Sequence, residues 1–434
     1  MTAATTPTGI APSGSPTGSR PDREPGLGRP FAAQLASTGL ANLGDGILGT
    51  LAPLVALSLT TSPLQISLLS AATWLPWLLF GLAAGVVIDR VDRRRAQVVA
   101  LGLRAGVLAA GAALGFAGAL TMPLLVCLVL AYGATEVFAD LGATAIVPEL
   151  VPADRLSAAN GRVIGVQQVA NAFLGAPLAG GLVVLGAGIG FGTSAALAAL
   201  AAVVLAVGLR GNFRPLRTEG NSATALGQVK EGLAFLVRHR VMRALVITSS
   251  ILNLASTAYF AVFVLWAVGP TSAMGLTESQ YPLVMLGFAL GAVAGSFIAE
   301  AVQRRLGVMP TILSTLVGSV LLLLVPLFWP NGWAVAVAVT LVGITNTVGN
   351  VVSQSLRQRL VPRILLGRVS GASRTLAFGL MPLGALMGGL VAERAGLPAT
   401  FLAAIALSLA ACAYLGVTVR PADVRAAEAE AGRR

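Results

Sequence analysis

Six ionisable side chains interrupt long apolar runs of this chain: Asp45, Glu136, Asp140, Arg104, Arg162 and Arg374. A charge inside such a run costs several kcal/mol unless it is paired or hydrated, so each is a candidate for chemistry. Glu136 and Asp140 are four residues apart and share one helix face. Asp45 lies about 14 residues into its run, about 21 Å along a helix that rises ~1.5 Å per residue. A carboxyl group in an apolar cavity without a cation titrates nearer neutral pH than in water, which suits a group that loads and releases a proton. Asp45 and Glu136 are therefore the proton-coupling candidates, with a static ion pair as the alternative. For Asp140 the static pair is the favoured expectation. Arg104, Arg162 and Arg374 read as structural partners or snorkelling residues rather than ligands.

The elements carrying these charges must be membrane spans. The chain has 434 residues, 56% hydrophobic and 11% charged, where a soluble domain carries about 25% charged residues. Six apolar segments occur in each half: 31–59, 64–88, 96–118, 122–146, 156–185 and 191–209, then 244–268, 281–302, 310–329, 333–356, 367–393 and 400–417. A span needs ~20 apolar residues and must be helical, because lipid offers no partner to an open backbone. The net charge of +12 does not indicate nucleic acid, since the arginines crowd the loops of one side. Arg90, Arg93, Arg94, Arg155, Arg210, Arg304, Arg305, Arg357 and Arg363 all fall there, whereas the opposite loops carry little beyond Glu278, Glu393 and Arg394. Positive charge marks the cytoplasmic side, so both termini are expected inside a bacterial cell membrane. The expected organisation is a disordered tail (1–30), a six-helix bundle (31–209), a linker with an amphipathic helix (210–243), a second bundle (244–417) and a polar, loose tail (418–434). His239 is expected in a solvated position in the linker.

The two halves echo one another. Gly81-x-x-x-Gly85 recurs as Gly291-x-x-x-Gly295, and Leu150-Val151-Pro152 as Leu360-Val361-Pro362, both at an offset of 210 residues (81 to 291, 150 to 360). A fixed period across separate motifs indicates an internal repeat. Gly81 and Gly85 share a face on which small residues would let another helix approach closely. The basic run Asp89-Arg90-x-Asp92-Arg93-Arg94-Arg95 follows them.

Here the chain resembles the major facilitator superfamily, whose signature loop between spans two and three has a glycine, an Asp-Arg pair and a basic cluster. The resemblance covers roughly residues 31–417. It implies an all-α integral membrane fold of twelve transmembrane helices in two pseudo-symmetric six-helix bundles. It also implies that Asp89 latches to the start of the eleventh helix, and that Asp140 pairs with Arg90 or Arg93 of the loop. The run Gly175-Ala176-Pro177-Leu178-Ala179-Gly180-Gly181 is similar to an exporter motif of the family, with Ala176 in place of a glycine. Val147 to Pro152, Asn160-Gly161-Arg162 and Asn42-Leu43-Gly44-Asp45-Gly46 resemble the subgroup containing the enterobactin exporter and macrolide efflux proteins.

The resulting expectation is a secondary transporter, not an enzyme, exporting lipophilic or amphipathic small molecules against protons. Its partners would be that cargo, protons and membrane lipid, with a monomer expected and no nucleic acid. A siderophore exporter, an importer of a polar molecule with the same fold, and a non-transporting sensor or scaffold are the alternatives. Cavity candidates are Asn42, Trp74, Gln167, Asn171, Asn253, Phe260, Asn346 and Asn350. Trp77, Tyr259 and Trp266 read rather as lipid-facing or interfacial anchors. No cofactor is implied: the only lysine, Lys230, precedes Glu231, so no phosphate-binding Gly-Lys-Ser/Thr exists. One His and two separated Cys provide no metal constellation.

Overall fold

The computed structural model describes residues 28–88, 90–152, 155–214, 225–362 and 365–431. Twelve helices among them are long and apolar enough to cross a membrane. In the first half these are α1 (Arg29–Leu59), α2 (Pro63–Ile88), α3 (Arg93–Phe116), α4 (Met122–Leu150), a fifth span broken into α5 (Leu156–Gln168) and α6 (Ala176–Leu185), and α7 (Ala187–Gly208). The linker helix α8 (Ala225–Arg238) leads to the second half: α9 (Arg240–Ala267), α10 (Gln280–Leu306), α11 (Val308–Leu322) with the single turn α12 (Val325–Phe328), α13 (Gly332–Leu360), α14 (Leu366–Gly379) with α15 (Met381–Ala395), and α16 (Leu397–Thr418). The polar tail expected to be loose contains a further helix, α17 (Pro421–Ala431), fastened to the second half by Arg359–Glu428 at 3.0 Å. Expectations for the N-terminal tail, Asp89, Arg363 and the side chain of Arg374 lie outside the described residues.

Local chemistry sets the breaks. Pro177 has no N–H and its ring crowds the carbonyl four residues back, so the regular α-helical hydrogen bond is lost at this point. The chain widens instead into a π segment, Val169–Gly175, after which Ala176 N–H donates to Asn171 O five residues earlier. In span eleven Pro382 likewise follows a break, at Leu380, but without a π turn among the described residues. Asp92 caps α3 by accepting from Arg95 N at 2.8 Å, and Asn331 caps α13 by accepting from Ala334 N at 2.9 Å. His239, read as solvated, caps α9 through Met242 N. The one-residue turns into α11 and α16 place Gly307 and Gly396 at φ +85°, a conformation that side chains with a Cβ disfavour.

Spans approach closely where glycines meet. A Cβ on Gly175 would lie 2.8 Å from Gly46 Cα, and one on Gly46 would strike Asn171 O. The repeated Gly-x-x-x-Gly pair is used unequally. Gly291 and Gly295 press on the backbone of α13 at Thr340 and Ile344, whereas Gly81 and Gly85 face open space, contrary to the close approach expected there. The reason lies in how the halves meet. At the end away from the basic loops, Gly389 packs on Ser67 and Leu64, Gly180 packs on Ser279 and Pro282, and Glu393 accepts from Ser62 Oγ (3.1 Å) and Leu64 N (3.3 Å). Midway, Trp74 stacks on Phe378 and Leu78 meets Gly379. Beyond that level nothing approaches Gly81, Gly85, Gly161, Gly165 or Gly371 among the described residues. The halves converge at one end and part at the other.

Two outcomes are expected. Gly46→Ala overpacks a backbone crossing, a class of change that costs about 1–3 kcal/mol, and should lower the unfolding temperature in detergent. Gly49→Ala, with nothing within 4 Å, should leave it near wild type. Glu393→Gln leaves a weaker acceptor at the start of α2, where a carboxylate contributes about 0.3–1 kcal/mol. Spin labels on Thr61 and Ala273, exposed positions of the two halves, should then report a larger population with this end apart.

Candidate functional site

Between the halves lies a cavity of about 340 Å³. Its first-half wall comes from α1 (Asp45, Gly49, Pro53), α2 (Ser70, Thr73, Trp74), α4 (Val129, Tyr132, Glu136) and Asn171 of the π segment. The second half supplies Phe260, Ala261 and Val264 from α9 and Tyr281 from α10. The lining is aromatic and aliphatic with a few convergent polar groups, the usual character of a small-molecule site.

The charged floor is built by three helices. Arg104 of α3, 1% exposed, donates from Nη1 to Asp45 Oδ1 at 2.6 Å. The Tyr132 hydroxyl donates to the same oxygen, and the guanidinium stands 4.9 Å from the Tyr132 ring centroid, close enough for a cation–π contact. Asp45 was expected to be buried without a cation; the pair with Arg104 overturns that premise. Arg104 is thus the ion-pair partner of Asp45. Arg104 retains two buried donors, Nε and Nη2, without a hydrogen-bond partner among the described residues. Glu136 and Asp140 lie within electrostatic reach of it. Glu136, half-buried one turn beyond Tyr132, makes no hydrogen bond or ion pair with any described residue and borders the cavity.

Asp140 sits a turn farther from the cavity, beside a small void it shares with Asn42, Gln97 and Arg104. Arg93, a partner expected for it, is instead held by Glu149. Of the other candidates, Trp74, Asn171 and Phe260 line the cavity. Asn42 donates to Thr38 O within its own helix at 3.0 Å. Asn253 bridges α9 to Ala377 O at 3.2 Å, and Asn350 donates to Asn346 at 2.8 Å. Asn42, Gln167, Asn253, Asn346 and Asn350 all lie outside the cavity lining. Arg162 is exposed. Pro177 and Gly180 shape the fifth span, while Gly181 is open to its surroundings. Tyr259 is no lipid anchor: it is 1% exposed, donates to Leu323 O at 3.0 Å and packs on Phe401. Trp266 likewise donates to Pro326 O at 3.0 Å, covering the break between α11 and α12. Sequence reasoning missed Tyr132 and Tyr281. The spacing of Tyr132, Glu136 and Asp140, one turn apart on one face, was the available signal for the first.

Twelve spans in two halves about an aromatic cavity with a charged floor define a membrane transporter rather than an enzyme. The chain belongs to the transmembrane secretion effector family of the major facilitator superfamily, whose match runs over residues 29–432. The multidrug efflux pump Tap of Mycobacterium tuberculosis (strain ATCC 25618 / H37Rv) is 29% identical over 397 residues, covering 85% of this chain and 88% of that protein. Tap of Mycolicibacterium fortuitum is 27% identical over 372 residues, covering 84% and 89%. Among solved structures, the nucleoside transporter NupG superposes with a TM-score of 0.71 at 12% identity, covering 90% of this chain and 98% of its own. A bacterial homologue of the iron transporter ferroportin in an inward-facing state gives 0.69 at 18% identity, covering 90% and 99%. These two likenesses establish the fold.

Removing one member of a buried ion pair costs about 3–5 kcal/mol, because the other charge is stranded. Arg104→Gln should therefore lower the unfolding temperature in detergent sharply. The double variant Asp45→Asn/Arg104→Gln should recover a good part of the loss, as thermal denaturation would show.

Proposed function

We propose that the chain is a proton-coupled exporter of lipophilic or amphipathic small molecules, working by alternating access, with Glu136 as the proton-carrying side chain. The carrying observation is Glu136 itself: a carboxyl group on the cavity wall with no hydrogen-bonding or ion-pair partner among the described residues, beside a guanidinium with two spare donors. Asp45 is already neutralised by Arg104. A protonated Glu136 leaves the cavity floor neutral. On losing its proton it becomes a carboxylate near those spare donors, which favours a different local arrangement from the protonated one. The lining by Trp74, Phe260, Tyr132 and Tyr281 suits a lipophilic cargo more than a strongly hydrated one.

The basic loops mark the cytoplasmic face, which makes the closed end the outer one and the conformation inward-open. Both termini are then cytoplasmic, and the membrane is the bacterial cell membrane. Rocking of one half against the other about the cavity would expose it alternately. The similarity to Tap, named as a multidrug efflux pump, supports outward transport.

Inside-out vesicles loaded by an imposed pH gradient provide the test, with a panel of lipophilic dyes as cargo. Glu136→Gln should abolish gradient-driven uptake while downhill exchange of the same dyes persists. Full proton-driven uptake by Glu136→Gln would overturn the assignment. For orientation, single cysteines at Thr61 and Arg420, in a background without Cys127 and Cys412, should react with an impermeant reagent from opposite sides. Labelling of Arg420 and not of Thr61 from outside the cell would reverse the inward-open reading.

A further inference from the structure

A second hollow, about 720 Å³, lies on the outer flank of the first half. Its floor is α4 (Ala134, Thr135, Phe138) and its walls are α2 (Val87) and α3 (Val99, Leu103). Val99 and Leu103 are 59% and 61% exposed on a membrane-spanning helix, so the hollow opens toward lipid rather than toward the central cavity. Its mouth is polar: Arg95 at the start of α3, and Asn212 and Arg214 just after α7. From Arg95 to Leu103 the groove descends about 12 Å at ~1.5 Å per residue, within one leaflet of a hydrocarbon core about 30 Å thick.

We propose that this groove is a binding site for an anionic phospholipid, with one acyl chain along Val99, Leu103 and Phe138 and the phosphate group between Arg95 and Arg214. Two observations select the anion. The first is how the basic cluster is spent. Arg93 is held by Glu149 and Arg94 donates to Ala206 O at 2.6 Å. Arg95 and Arg214 have no carboxylate partner among the described residues and converge on the mouth. Asp92, the acid at the mouth, is occupied: it is 8% exposed, with Oδ1 accepting from Arg95 N (2.8 Å) and Oδ2 from Phe213 N (2.9 Å). Asp92 thereby pins both segments that carry the free arginines. The second is the placement of three successive arginines in the first turn of α3, where the helix dipole disfavours cations and an anion relieves them. The acyl chain supplies no selectivity, since the surrounding lipid is as apolar as the groove. Choice of lipid rests with the headgroup charge.

The test uses the full chain, purified in mild detergent and examined by native mass spectrometry after equilibration with phosphatidylglycerol or phosphatidylcholine. The wild type should retain phosphatidylglycerol in at least about tenfold excess over phosphatidylcholine, a difference of ~1.4 kcal/mol. Arg95→Ala/Arg214→Ala should lose that preference, and Leu103→Trp, which fills the groove, should lower retention of both lipids. The control Arg304→Ala/Arg305→Ala removes equal charge at exposed positions of the other half and should behave as wild type. Equal loss in the control, unchanged preference in the Arg95/Arg214 variant, or competition by inorganic phosphate as effective as phosphatidylglycerol would each overturn the site.

Discussion

The ion pair between Asp45 and Arg104 is the interaction from which the rest of the cavity takes its form. Two charges taken out of water repay the cost only with good geometry and further hydrogen bonds. Here α1 supplies the acid, α3 the guanidinium and α4 the hydroxyl of Tyr132, so one oxygen of Asp45 fastens three helices. Beside Asp45, the glycine contact between Gly46 and Gly175 lets α1 lie close against the fifth span. One cation faces three acids of its own neighbourhood, Asp45, Glu136 and Asp140, and its hydrogen bond goes to Asp45.

The architecture was open to reading in the chain because lipid imposes one rule on every span. Apolar length reported that rule directly, and all twelve expected spans have counterparts among the helices. What the pattern could not convey was how helices meet. Gly81-Gly85 and Gly291-Gly295 are the same words in the sequence, yet one pair is pressed on a neighbour and the other stands open. Whether a glycine face is filled depends on the angle between two distant bodies, which no local spacing encodes. Similarly, Asp45 read as an isolated acid because its partner lies 59 residues away on another helix. Trp74 and Phe260 were legible as cavity aromatics by position, whereas Tyr281 follows the polar loop before α10 and carried no comparable mark.

The closed end of the molecule shows a division of labour between shape and charge. Glycines and serines let α15 lie on α2 and α6 on α10, giving contact without strong chemistry. Glu393 then adds one directional contact, made to the start of a helix in the opposite half. Small residues make such an interface smooth, and a single carboxylate supplies a preference for the joined arrangement. Larger interlocking side chains would hold the ends more firmly and make their separation correspondingly slow.

The π segment before Pro177 has a geometric consequence for the fifth span. One residue too many in a turn rotates everything beyond it by roughly 100°, the angle per residue of a helix with 3.6 residues per turn. The span is thus two rods in different phase: α6 presents Gly180 to the other half, while Asn171 on the bulge points toward the cavity. Its cognate, the eleventh span, is interrupted at Leu380 without a π turn among the described residues. The two repeats therefore cannot be superimposed side chain for side chain along these spans. Substitutions on either side of the bulge belong to two different surfaces, although the sequence writes them as one continuous helix.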